Sequence, residues 1–182
     1  GDMFARLMNK RLMIDIYGDY ERLNWESGFH HARSMEKLFI AYTSPEITVG
    51  AEGFVTFLGK DVTAINNKTF LNDTLNGKAE GISFFVHGPI VKNKLNFFAR
   101  LDQYNPDTQY DGSHYGRYES FSPAYESNNR EQFITAGLDF TPIKTVHLMP
   151  NIWLDRYNSQ NKAAGMRDYD LVYRITFYFI YK

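Results

Sequence analysis

Hydrophobic and polar residues alternate one by one through most of this chain. The closing segment, DLVYRITFYFIYK, has an unbroken apolar row at its odd positions, from Leu171 to Tyr181, and a mixed, partly charged row at its even positions. Successive side chains of a β-strand point to opposite faces of the sheet. The pattern therefore predicts a strand with one apolar face and one more polar face.

The same period predicts about eight strands and almost no helix. Residues 2–10 allow two interpretations, a short helix or the end of a strand before a turn at Met8-Asn9-Lys10. The expected fold of residues 1–182 is all-β, one domain built as an antiparallel up-and-down meander. Alternation, β-branched and aromatic content and flanking turn residues place its strands near 11–18, 36–43, 46–58, 79–88, 93–103, 131–140, 145–156 and 169–182.

Short and long connections alternate along the chain. In a meander this order brings all short turns to one end and all long loops to the other. Short periplasmic turns opposite long outer loops are typical of outer-membrane β-barrels. The short turns, each with a proline, are predicted near 43–46, 88–92 and 141–144, and the long polar loops near 19–35, 59–78, 104–130 and 157–168.

One face of nearly every predicted strand is apolar. Alternation shows that the two faces differ and leaves open which one points inward, as in a soluble sandwich or lipocalin-like barrel, or outward to lipid. Tyr173 and Tyr181 bracket an apolar stretch of about 20 Å for a strand tilted by about 40°. That length is close to the apolar band of about 25 Å in membrane barrels, so the pattern favours a transmembrane barrel. The candidates for lipid-facing and girdle positions are Leu95, Phe97, Leu138, Phe140, Tyr173, Ile175, Phe177, Phe179 and Tyr181.

The opposite face carries charges and amides in the middle of the strands. Rings of charged side chains set the ion preference of pores, and the excess of acidic residues here favours cations. For each of these residues, the alternative to a pore-lining role is an ordinary salt bridge. The pore-lining candidates are Asp15, Glu52, Arg100, Asp102, Asp139, His147, Asn151, Asp155 and Arg174.

Composition narrows the function classes. The formal net charge is −1 and the pI is about 6.6, so no basic patch indicates nucleic-acid binding. Cysteine is absent, which excludes disulfides and thiolate metal sites. Neither a secretion signal nor an apolar run of about 20 residues is visible, so the chain is expected to be mature, trimmed or internal to a longer protein.

Catalytic motifs are not found either. The chain has no GxSxG, P-loop or HExxH sequence. Ser83 and His87 share a strand face but stand about 13 Å apart, too far for a nucleophile and its base. Asp107, Asp111 and Glu119 offer a calcium alternative without the spacing of an EF-hand loop. We therefore expect no enzyme activity, no cofactor and no metal.

Four stretches resemble porin-like outer-membrane proteins of the Bacteroidota. They are ERLNWESGFHHARSMEKLFIAYTSPEITVGAEGFVTF, GISFFVHGPIVKNKLNFFARLDQYNPDT, EQFITAGLDFTPIKTVHLMPNIWLDRYN and DYDLVYRITFYFIYK, which together cover most of the chain. The resemblance implies the C-terminal half of a protein about twice this long, with about sixteen strands. It also implies a bacterial outer-membrane location and recognition of the closing strand by the outer-membrane assembly machinery.

The expected function is a porin-like channel segment for passive diffusion of small solutes or ions, with outer-membrane lipid around it. Two alternatives remain. A closed eight-stranded barrel has an interior just filled by side chains and would act as an anchor or adhesion protein. A soluble lipocalin-like barrel would bind a ligand inside.

Overall fold

The structure, a computed structural model, describes residues 1–23, 31–120, 129–159 and 167–180. These residues form ten β-strands and no helix. The strands are β1 (Asp2–Leu7), β2 (Leu12–Leu23), β3 (His31–Thr43), β4 (Thr48–Asn66), β5 (Asn72–Val91), β6 (Leu95–Asn105), β7 (Tyr115–Ser120), β8 (Asn129–Ile143), β9 (Val146–Ser159) and β10 (Tyr169–Phe179).

Nine strands form one antiparallel meander in the order β1-β2-β3-β4-β5-β6-β8-β9-β10, and β7 pairs with β4 outside this path. The predicted all-β, up-and-down class is confirmed, with two strands more than predicted. β1 and β10 lie at the two ends of the path. Among the described residues the sheet is not closed into a barrel. It curves, since residues from β2 to β9 line one common cavity.

Four short connections lie at one end of the sheet. They are residues 8–11, 44–47, 92–94 and 144–145, which follow β1, β3, β5 and β8. Met8, Asn9 and Lys10 have left-handed φ values of 52°, 56° and 69°. Of the two interpretations of residues 2–10, a strand followed by a turn is the correct one.

Two of the predicted turns begin too early. β5 continues to Val91 and β8 to Ile143, so Pro89 and Pro142 lie inside strands. The pairing register shifts between Pro89 and Val91 on β5, and between Phe140 and Ile143 on β8. Proline has no N–H for the ladder and is accommodated where regular pairing is interrupted.

Strands also continue through much of the predicted long loops. β4 and β5, of 19 and 20 residues, extend past their neighbours to a turn at residues 67–71, so the predicted loop at 59–78 is wrong. The register shifts between Leu58 and Val62, and Lys60 has a φ of 53°. This bulge breaks the alternation by which a strand is recognised in the sequence.

The other long loops are shorter than predicted. β2, β3 and β9 enter the ranges 19–35 and 157–168, and β7 lies inside 104–130. Residues 24–30, 121–128 and 160–166 of these loops fall outside the described residues, as do Tyr181 and Lys182.

The core is small. Among the described residues the buried hydrophobic side chains are Ala41, Leu58, Val62, Ala64 and Ala79. All except Ala41 lie in the half of the β4–β5 hairpin toward the long connections, where β7 pairs with β4. The strands at the centre of the sheet are therefore held together by backbone hydrogen bonds more than by buried apolar side chains.

Candidate functional site

The two faces of the sheet differ in exposure. On β3, Leu38 and Ile40 are 46% and 41% exposed, whereas Lys37 and Phe39 between them are half-buried. Apolar side chains therefore occupy the open, convex face, and the mixed row occupies the sheltered, concave face. A soluble barrel requires the reverse arrangement.

Two rows of directly paired positions on the convex face are apolar on every strand of the meander. They link neighbouring strands without a charged side chain between them. The first row is Ala5, Ile14, Ile40, Ala51, Phe84, Leu101, Ile134, Leu154 and Leu171. The second row is Leu7, Leu12, Tyr42, Val49, Val86, Ala99, Ala136, Ile152 and Tyr173.

The apolar band crosses the sheet obliquely. The row through Leu38 is apolar as far as Ile82 on β5 and continues as polar residues, which are Gln103, Gln132 and Arg156. On β8 to β10 the band instead extends toward the short turns, to Phe140, Leu148 and Phe177. A flat apolar layer crossed by tilted strands produces this displacement from strand to strand.

The described girdle candidates all lie on this convex face. Leu138, Phe140, Tyr173, Ile175, Phe177 and Phe179 are exposed, whereas Leu95 and Phe97 are half-buried. Tyr181 lies outside the described residues.

All nine pore-lining candidates lie on the concave face, where the pairing brings several together. The Arg100 guanidinium donates to both oxygens of Asp102 at 2.8 and 2.9 Å, and the Ser83 hydroxyl donates to the same carboxylate. His147 Nδ1 lies 2.8 Å from the Asp139 carboxylate.

The remaining candidates have separate partners. Glu52 pairs with Lys37 at 3.4 Å. The Tyr157 hydroxyl donates to Asp155 at 3.1 Å, and the Asn151 amide donates to the backbone of Met149. The Arg174 guanidinium lies 3.9 Å from the centre of the Trp153 ring. Asp15 stands between Phe4 and Phe39 on the adjacent strands.

The concave face is acidic. Among the described residues, and leaving out the extension of β4 and β5 beyond the bulge, its strand positions carry ten carboxylates and five basic groups. The carboxylates are Asp2, Asp15, Asp19, Glu21, Glu52, Asp102, Glu131, Asp139, Asp155 and Asp170, and the basic groups are Arg6, Arg33, Lys37, Arg100 and Arg174. The nine candidates chosen from the sequence show the same sign but only part of the excess.

Sequence reasoning missed a set of glycine–phenylalanine pairs across neighbouring strands. Phe54 faces Gly81, Phe85 faces Gly50 and Phe98 faces Gly137 on the concave side. A Cβ added at these glycines would come within 2.3 to 2.7 Å of the partner ring. Each ring therefore occupies the space above a glycine, where a side chain on the partner strand would displace it. The chain order gives no sign of this, because the partners lie 27 to 39 positions apart.

The concave face forms an open cavity of about 1350 Å³ near the long-connection end of the sheet. Every strand from β2 to β9, apart from β7, contributes to its lining. The side chains at its centre form one level across the paired strands, namely Tyr17, Lys37, Phe54, Tyr104, Glu131 and Tyr157, with Gly81 between Phe54 and Tyr104.

The connection after β6 contains a serine, a histidine and an aspartate in contact. Asp111 accepts hydrogen bonds from the Ser113 hydroxyl and lies 2.6 Å from His114 Nδ1. Ser113 Oγ also faces Nδ1, at 3.1 Å, whereas a catalytic relay needs serine and aspartate on different ring nitrogens. The arrangement is a structural turn.

The calcium alternative finds no support in the same segment. Asp107 accepts backbone hydrogen bonds from Lys78 and Gln109, so it joins the connection to β5. Within the described ranges no three His, Cys, Asp or Glu side chains come close enough to hold a metal ion together. The side chain of Glu119 lies outside them.

The Asp111 turn should respond to acid. The hydrogen bond from Ser113, followed by the one from His114, lowers the pKa of Asp111 from 3.8 to about 2. A carboxyl with a lowered pKa contributes stability above its ordinary pKa and loses it as the pH falls through the lowered value. We expect the amide NMR shifts of Ser113 and His114 to move with a midpoint near pH 2, and to show no such step in Asp111→Asn. A midpoint near 4 would contradict this hydrogen bonding.

The described part of the chain has no helix long and apolar enough to cross a lipid bilayer. Comparison with known proteins adds no relative. No protein-family model matches the sequence, and no curated protein or solved structure matches it either.

Proposed function

We propose that this chain is a wall segment of a porin-like channel in a bacterial outer membrane, through which small solutes or ions diffuse passively. Its convex face contacts lipid and its concave face contacts water. The observation that carries the proposal is the pair of apolar rows that cross all nine strands of the meander on the exposed side.

Solvation energies support this orientation. Full burial of a large apolar side chain stabilises a protein by about 1.5–3 kcal/mol, and this stabilisation is lost where the side chain remains in water. Phe84, Leu171 and Phe177 are 49%, 45% and 64% exposed on the convex face. Contact with hydrocarbon recovers this energy over the whole band, whereas a water-soluble chain leaves it unrecovered.

The free edges of the sheet support a larger assembly. β1 and β10 each have one edge without a partner strand among the described residues. Unpaired backbone groups in hydrocarbon cost several kcal/mol each, so membrane sheets are closed. We assign the missing partners to further strands of the same protein, in a barrel of about sixteen strands. A barrel of that size leaves an aqueous channel along its charged wall.

Two partners follow from this proposal. Lipid hydrocarbon contacts the convex band, with Tyr173 and Phe177 among the contacting side chains. The outer-membrane assembly machinery recognises the aromatic strand β10, whose side chains are exposed on both faces.

Planar-bilayer recording on the full-length protein, refolded into lipid vesicles, tests the function. We expect discrete current steps, with cations carrying more current than anions in a salt gradient. Insertion into the membrane without current would support an anchor or adhesion barrel instead. A protein that stays monodisperse in buffer without detergent would support a soluble ligand-binding barrel.

A further inference from the structure

The cavity on the concave face is surrounded by aromatic rings at one level. Tyr17, Phe54, Tyr104 and Tyr157 come from four strands, β2, β4, β6 and β9, that the register brings to the same height. All four line the same cavity of about 1350 Å³. A cavity of this size accommodates a small organic molecule rather than only a metal ion.

Two of these rings, Phe54 and Tyr104, lie next to each other in the wall of the cavity. Phe54 lies over Gly81, since a Cβ there would be 2.3 Å from its ring. Tyr104 stacks beside it, with ring centres 6.1 Å apart and planes inclined by 29°. Phe54 thus contacts the wall at Gly81 and also lines the cavity. The faces of aromatic rings carry partial negative charge.

The charge of the wall indicates the ligand's charge. The cavity lining as a whole has four carboxylates and three basic groups. At the level of the rings the balance is acidic, because Glu131 lies on that level and the Tyr17 and Tyr157 hydroxyls donate to Asp19 and Asp155. The basic group at this level, Lys37, is paired with Glu52 at 3.4 Å.

The chain's own cations already lie over aromatic rings on this wall. Lys37 Nζ is 5.6 Å from the centre of the Tyr17 ring, and Arg174 is 3.9 Å from that of Trp153. Cation–π attraction is strongest for weakly hydrated organic cations.

We propose that this cavity binds organic cations, such as quaternary ammonium ions or protonated amines with an apolar body. The cation contacts the Phe54 and Tyr104 rings, and the carboxylates of Asp19, Glu131 and Asp155 at or beside this level supply the opposite charge. If the chain forms the proposed channel, this site defines the class of solute that passes. The inference depends on the proposed function only for the role of cation binding in permeation.

Isothermal titration calorimetry on the full-length protein in a non-ionic detergent tests the binding without requiring a pore. The probe is benzyltrimethylammonium chloride, with benzyl alcohol and sodium benzenesulfonate as neutral and anionic compounds of the same body. We expect the cation to bind at least roughly tenfold more tightly than either, and its affinity to fall with added salt. Equal affinity for the three compounds, or no heat from the cation, would overturn the proposal.

Matched leucine variants locate the site. Phe54 and Phe57 lie on the same strand, but Phe57 is on the convex face and 45% exposed. Phe54→Leu and Tyr104→Leu should each weaken cation binding by roughly three- to tenfold, and Phe57→Leu should leave it unchanged. Unchanged affinity in both concave variants, with circular dichroism showing an intact sheet, would overturn the assignment to this cavity.

The two proposals fail separately. Current steps in the bilayer without cation binding in detergent would overturn the inference and leave the channel. Cation binding without current would overturn the channel and leave the cavity assignment.

Discussion

Phe84→Arg should destabilise the membrane-inserted protein by about 2–4 kcal/mol, the cost of an arginine in the middle of a lipid-facing strand. Phe84 lies in the apolar row that crosses all nine strands of the meander, and it is 49% exposed on the convex face. Equilibrium urea unfolding in lipid vesicles, followed by tryptophan fluorescence, measures the free energy of unfolding.

The adjacent residue supplies the control. Phe85 lies on the concave face of the same strand and stacks on Phe39, with ring centres 6.0 Å apart. Phe85→Arg loses this contact, worth about 0.5–1.5 kcal/mol, but keeps its charge in water. We expect it to cost clearly less than Phe84→Arg. The opposite ranking would mean that the concave face is a dry core, and the membrane orientation would be wrong.

Gly81→Val should push the Phe54 ring away from the wall and into the cavity. The new Cβ would lie 2.3 Å from the ring, closer than real contacts allow, so the ring must move. We expect single-channel conductance and cation affinity to fall, and overpacking to cost about 1–3 kcal/mol of stability. Conductance, calorimetry and urea unfolding measure the three effects.

Gly53→Val is the matched control for this change. Gly53 lies on the convex face of β4, and the nearest atom to a Cβ there is the Gly81 carbonyl oxygen at 3.9 Å. The added methyl groups would face lipid, so conductance and cation affinity should stay as in the parent protein. A similar loss of conductance in both variants would show that the effect is general to the sheet rather than due to Phe54.

The sequence by itself determined the class of the fold and the composition of each face. Period-two alternation is a local property, since residues two apart on one strand share a face whatever the strand pairs with. For this reason the segments around Leu101, Ile134 and Ile175 could be assigned to strands, and the charged candidates to one side. Residues 59–78 do not show this pattern, because the bulge at Lys60 interrupts the period and the hairpin has no continuous apolar face.

Only the tertiary structure decided which face is convex and which side chains meet across strands. Register and curvature arise from pairing between distant segments, so no local pattern encodes them. Phe54 and Gly81, or Tyr17 and Tyr157, share a level only because each strand is aligned with the next. The same alignment places acidic side chains beside the aromatic cavity. Position across the sheet, and not position along the chain, decides which side chains lie together.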